Sequence, residues 1–215
     1  MNYCQYFYPC SSPERSHFEG LTSGIVARNS VFSPHTIKIK NTIIRNYDFV
    51  GVGLVGYISP SVVSNQIGTN INSILNNVGL YLINCLSYNI KNNTFKDGIV
   101  GLIVDESINY SNKIYRNNFE NLFVASQSYN RNCLINDPQY PNYPIGSLGL
   151  FFKCNNYDQN EVNIHVRDGD IKRNQGYDHP TQNNQDISAA NQFNESDLSS
   201  ESAFFTENTS VSNYN

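Results

Sequence analysis

The feature that most constrains this chain is one short pattern that returns at a nearly fixed interval. Ile44-Arg45-Asn46-Tyr47-Asp48-Phe49, Ile90-Lys91-Asn92-Asn93-Thr94-Phe95 and Ile114-Tyr115-Arg116-Asn117-Asn118-Phe119 share an aliphatic residue, a polar stretch with Asn, and Phe five positions on. Ile67-Gly68-Thr69-Asn70 keeps the Ile and the Asn but lacks the Phe. The four isoleucines are separated by 23, 23 and 24 residues, an interval typical of solenoids. A second mark runs beside the first: Gly53-Leu54-Val55, Gly79-Leu80-Tyr81, Gly101-Leu102-Ile103 and Gly149-Leu150-Phe151 each open an apolar run with Gly, as a turn feeding a strand does.

Helical repeats of this length would place apolar residues at i, i+3, i+4 and i+7 and would avoid so much Asn, Gly and β-branched sequence. The repeat therefore predicts short strands, three to a turn, stacked about 4.8 Å apart in a parallel β-helix with turns of about 23 residues. Asparagine supplies 34 of the 215 residues and recurs at fixed offsets from Ile and Phe rather than in tracts. At tight corners Asn tolerates left-handed backbone angles, and stacked copies bond from turn to turn. Asn70, Asn93 and Asn117 are read as such a structural ladder.

These residues resemble a known family, the right-handed, single-stranded parallel β-helix proteins of the pectate-lyase-like class, especially secreted or surface proteins of Bacteroidetes. The resemblance rests on Gly79–Cys85 followed by Tyr88–Phe95, reinforced by Gly149–Tyr157, Ile164-His165-Val166, Asp170-Ile171, Gln175-Gly176 and Ala190–Phe193. It covers about residues 23–194 and implies an extracellular or cell-surface setting. Residues 1–22 are then an N-terminal segment, a truncated start of the helix, and 195–215 a polar tail or linker. Three prolines between 136 and 147 forbid an interior strand, so that stretch is expected to project as a loop.

A fold of this class hosts lyases, hydrolases and adhesive stalks alike, so function must come from a site. Family lyases use converging carboxylates and a basic residue, but Asp97, Asp105, Glu106, Asp168 and Asp170 sit at different offsets from the repeat. The polygalacturonase motifs are missing. His17, His35, His165 and His179 show no metal spacing, and Asp168-Gly169-Asp170 lacks the remaining ligands of a Ca²⁺ loop. Neither a metal nor a cofactor is expected. Cys85 and Cys154 read as core residues, while a Cys4–Cys10 bridge stays open.

With a net charge of −4 and no Lys/Arg stripe in the sequence, nucleic acid is not an expected partner. No apolar run is long enough to span a bilayer. The leading expectation is a non-catalytic structural or recognition module that binds an extracellular polysaccharide or another protein; the alternative is a polysaccharide lyase or glycoside hydrolase. Recognition is placed on the 136–147 loop, where Tyr140 and Tyr143 offer flat faces and Asp137 and Asn142 hydrogen-bonding groups.

Overall fold

The computed structural model describes residues 15–29, 36–69, 77–107, 112–133, 149–171, 175 and 189–194, together with the backbone of 202–207. The chain runs as successive passes. The first holds β1 (Ser16–Glu19), β2 (Ser23–Arg28) and β3 (Lys38–Lys40); the second β4 (Thr42–Arg45), β5 (Val50–Val55) and β6 (Ser61–Val63); the third β7 (Gln66–Gly68), β8 (Val78–Ile83) and β9 (Asn89–Lys91). In the fourth and fifth passes the first two strands fuse into β10 (Thr94–Asp105) and β12 (Asn118–Arg131), followed by β11 (Asn112–Tyr115) and β13 (Leu150–Lys153) respectively. Below them lie β14 (Asn156–Asp158), β15 (Val162–Asp170), β16 (Gln192–Asn194) and β17 (Ser202–Glu207).

Every pairing between these strands is parallel, and each strand bonds its counterpart in the neighbouring pass. Three faces result: β1-β4-β7-β10-β12-β14-β16, then β2-β5-β8-β10-β12-β15-β17, and β3-β6-β9-β11-β13. The chain is thus all-β with large parallel sheets, an arrangement consistent with a parallel β-solenoid. Among the described residues there is no helix.

The corner between the third face and the first explains the asparagine. Asn65, Asn93, Asn117, Asn155 and Asn191 stack there beneath Thr42. The backbone N–H and side-chain Nδ2 of Asn65 both donate to Asn93 Oδ1 at 3.0 Å, and Asn93 treats Asn117 Oδ1 the same way at 3.0 Å. Asn117 repeats this toward Asn155, and Asn155 toward Asn191. Each Nδ2 also donates to a carbonyl of the preceding pass, those of Ile39, Val62, Ile90, Ile114 and Phe152 in turn. The residue before each ladder position, from Asn41, Ser64, Asn92, Arg116 and Cys154 to Ala190, has φ between 52° and 58°. Left-handed angles cost a non-glycine residue about 1–2 kcal/mol, and the saturated hydrogen bonding of the next residue offsets that cost.

Inside, the first face carries one continuous column: Phe18, Ile44, Ile67, Phe95, Phe119, Tyr157 and Phe193. The last four rings stack at centroid distances of 5.1, 5.0 and 5.1 Å, nearly the strand spacing. Room for the column comes from glycines at the start of the second face, Gly24 beside Ile44, Gly51 beside Ile67, Gly79 beside Phe95 and Gly101 beside Phe119. A Cβ on Gly101 would lie 2.5 Å from the Ala125 carbonyl oxygen and 3.1 Å from the Phe119 ring.

Several expectations need correction. Ladder neighbours are separated by 23, 28, 24, 38 and 36 residues, so the interval of 23 is a minimum that longer connections stretch. Ile90 and Ile114 do share a column, on the third face, but Ile44 and Ile67 belong to the first face, where Ile67 pairs with Phe95. Phe49 is not the counterpart of Phe95; it is 53% exposed. Gly51, not Gly53, aligns with Gly79, and Gly149 leads into the third face. Asn65 is the ladder residue above Asn93, while Asn70 lies outside the described residues. Cys85 is buried, but Cys154 is a corner residue with positive φ. At the ends, Ser16–Glu19, in the segment read as the start of the helix, pairs with Thr42–Arg45, while Ser202–Glu207, in the stretch read as a polar tail or linker, pairs with β15.

Candidate functional site

A groove of about 520 Å³ crosses the outer side of the first face. Its origin is one residue. In the outward column formed by Glu19, Arg45, Gly68, Lys96 and Glu120, Gly68 alone has no side chain. The strands also require glycine there, since a Cβ would fall 2.7 Å from the Lys96 carbonyl oxygen. The gap is walled by Arg45 on one side and Lys96 on the other, with Gln66, Thr94 and Asn118 from the neighbouring outward column and Asp97 and Glu120 at the edges.

Hydrogen bonds hold several of these groups in place. Arg45 Nη2 donates to Gln66 Oε1 at 3.4 Å, Asn121 Nδ2 to Asp97 Oδ1 at 2.9 Å and Asn156 Nδ2 to Asn118 Oδ1 at 2.6 Å. Lys96 Nζ lies 3.5 Å from Asp97 Oδ2, an exposed pair of small energetic weight. The result is a row of amide, hydroxyl and charged groups on four hydrogen-bonded strands.

The acids singled out in the sequence are dispersed. Asp97 edges the groove. Asp105 stands on the second face, 8% exposed, where its carboxylate accepts from Tyr81 Oη at 3.2 Å and Asn130 Nδ2 at 2.7 Å. Burial, and then the Asp105 charge beside it, pushes the Tyr81 phenol up to about 12. Glu106 and Asp168 occupy the following corner with positive φ, and Asp170 is buried inside. His17 pairs with Glu19 at 3.3 Å. Among the described residues no three His, Cys, Asp or Glu side chains could hold a metal ion, and no helix is long and apolar enough to cross a membrane.

The recognition residues expected from the sequence, Asp137, Tyr140, Asn142 and Tyr143, lie outside the described residues. Sequence reasoning missed the groove because nothing in Ile67-Gly68-Thr69-Asn70 tells what stands on either side of Gly68; only the pairing that sets it between Arg45 and Lys96 shows an absent side chain. No known protein family, characterised protein or solved structure matches the chain.

Proposed function

We propose that the chain is a right-handed parallel β-helix serving as a non-catalytic recognition module of a secreted or cell-surface protein, with a glycan bound along its first face. The observation that carries this reading is the groove over Gly68, which offers Gln66, Asn118 and Thr94 beside Arg45 and Lys96 on a rigid set of strands. Neutral amides and hydroxyls match sugar hydroxyls in both donor and acceptor sense, and parallel strands that cannot move independently keep the ordering cost of binding low. A glycan array probed with the intact chain, with Gln66→Ala/Asn118→Ala, and with residues 136–147 replaced by Gly-Ser tests it. Glycan binding lost in the Gln66→Ala/Asn118→Ala variant is expected. Binding lost only on loop replacement moves the site to the loop, and an array with no bound glycan rejects the reading.

A second reading, a polysaccharide lyase or glycoside hydrolase, is favoured by Asp97 and Glu120 sharing the groove with Lys96 and Arg45. Release of unsaturated or reducing ends from a polysaccharide, abolished by Asp97→Asn or Glu120→Gln, would establish it over the first.

A further inference from the structure

The outer side of the third face differs in charge from the rest of the molecule. Its five strands read KIK, SVV, NIK, NKIY and LFFK and carry five lysines without one Asp or Glu. The chain has only 14 Lys and Arg against 18 Asp and Glu, so the strand register has concentrated cations on one side of an acidic protein. Inward Ile39, Val62, Ile90, Ile114 and Phe152 fix the alternation that turns the lysines outward.

The lysines also have a spacing. One outward column reads Lys40, Val63, Lys91, Tyr115, Lys153, which places a cation on every second strand. With strands about 4.8 Å apart, the positive charges follow one another at about 10 Å along the stack. Beside them Lys38, Ser61, Asn89, Lys113 and Phe151 form the second outward column; hydroxyl and amide groups stand between the charges in its upper part, and at its lower end Lys113 lies over the buried Phe151 ring. Lys38, Lys40 and Asn89 are exposed and Ser61, Lys91 and Tyr115 are partly so.

We infer that this face docks a linear acidic polysaccharide with a carboxylate on every second sugar. Charge complementarity supplies the attraction, and the spacing selects the partner. Duplex nucleic acid carries a charge about every 1.7 Å and would be left largely unneutralised by so sparse a row. A polymer with alternating charged and neutral sugars matches the charges to lysines and its neutral sugars to Ser61 and Asn89, while Tyr115 holds Lys113 and Arg116 over its ring.

Hyaluronan, an alternating uronate polymer, is the probe, with polygalacturonate, neutral dextran and single-stranded DNA as comparisons, measured with the intact chain at low salt and at about 0.3 M salt. Hyaluronan should be bound best at low salt, should weaken at high salt, and should weaken about tenfold in Lys40→Gln/Lys91→Gln, as expected when two exposed charge contacts are removed. Unchanged thermal melting certifies that variant; if it does not fold, Lys38→Gln/Lys40→Gln on β3 replaces it. No binding to hyaluronan at low salt, equal binding by the variant, or tighter binding of polygalacturonate or DNA would overturn the inference. So would a loss produced by Arg45→Ala but not by the lysine variants, which would locate charge recognition in the first-face groove.

Discussion

The ladder corner and the inner side of the second face meet the same stacking requirement with opposite tolerance for change. At the corner, Asn occupies five consecutive passes because each inner copy, Asn93, Asn117 and Asn155, must accept two bonds from the pass above and donate its amide to two acceptors. No other side chain of that length has an acceptor and a two-hydrogen donor on one planar group. On the inner second face, Val52, Leu80 and Leu102 give way to Ser126 and then Ile164, and Leu54, Leu82 and Val104 give way to Ser128 and then Val166. There only volume is required, so a hydroxyl is admitted once it finds partners. Ser126 Oγ donates to the Asn163 carbonyl at 3.0 Å and lies 3.4 Å from Tyr157 Oη; Ser128 Oγ accepts from Asn132 Nδ2 at 2.8 Å. A column defined by directed bonds fixes the residue type, and one defined by packing fixes only its size.

The largest effect comes from violating both requirements together. Ile114→Asp would place an unpaired carboxylate in a fully buried column and should abolish cooperative unfolding in a thermal melt. Asn89→Asp, exposed on the neighbouring strand, should shift stability by less than about 0.5 kcal/mol. Equal tolerance of the two would mean that Ile90 and Ile114 do not share an interior column.

Within the ladder the cost should depend on position. Asn117→Ala strands the Asn93 N–H, takes one of two bonds from the Asn93 amide and from the Asn155 amide oxygen, and removes the side-chain donor to the Ile90 carbonyl, and should cost about 2–4 kcal/mol in urea unfolding. Asn191, only partly buried near the lower end, should cost about 1 kcal/mol when changed to Ala. A flat response along the ladder would show that its members act singly and not as a stack.

How much of this was legible in the sequence follows from the same contrast. The strand class and the structural asparagines were readable because directed bonds leave a residue signature. The frame itself is an apolar residue three before the Asn and another two after it, as in Val62-Asn65-Ile67, Ile90-Asn93-Phe95, Ile114-Asn117-Phe119 and Phe152-Asn155-Tyr157. Starting from Ile44 shifted the upper copies by five residues, because Ile44 is the second apolar residue of its own frame, Ile39-Thr42-Ile44, and Phe49 supplied a false match. The unequal passes hid the slip. The groove and the lysine face were not legible at all: Arg45, Gly68 and Lys96, like Lys40, Lys91 and Lys153, become neighbours only through strand register.

Burial also makes interior groups sensitive to alkaline pH, in the upper passes as well as the lower. Burial, reinforced by the charge of Asp170, pushes the Cys133 thiol up to about 12. A thiol whose folded value lies above its unfolded one contributes fully below the unfolded value and loses that contribution as pH rises toward 12, at about 1.4 kcal/mol per pH unit. Melting temperature should therefore fall between pH 9 and pH 12, and Cys133→Ala should lessen that fall, with the burial-raised Cys85 and Tyr81 supplying the rest. An identical slope in the variant would remove Cys133 as its source.

The smallest effect tests whether the two departures from an apolar interior answer one another. Tyr157 alone adds a hydroxyl to the ring stack of Phe95, Phe119 and Phe193, and Ser126 lies next to that hydroxyl. Tyr157→Phe removes a group that Ser126 faces, and Ser126→Ala removes a group that Tyr157 faces, so each leaves a buried oxygen with one partner fewer and should cost about 1 kcal/mol. Ser126 keeps the Asn163 carbonyl, which limits the coupling. The double variant, with both hydroxyls gone, should be less destabilised than the sum by about 0.5 kcal/mol in a double-mutant cycle. Strict additivity would mean that the serine is tolerated for its size alone, and that packing, without the tyrosine hydroxyl, sets the composition of the second face.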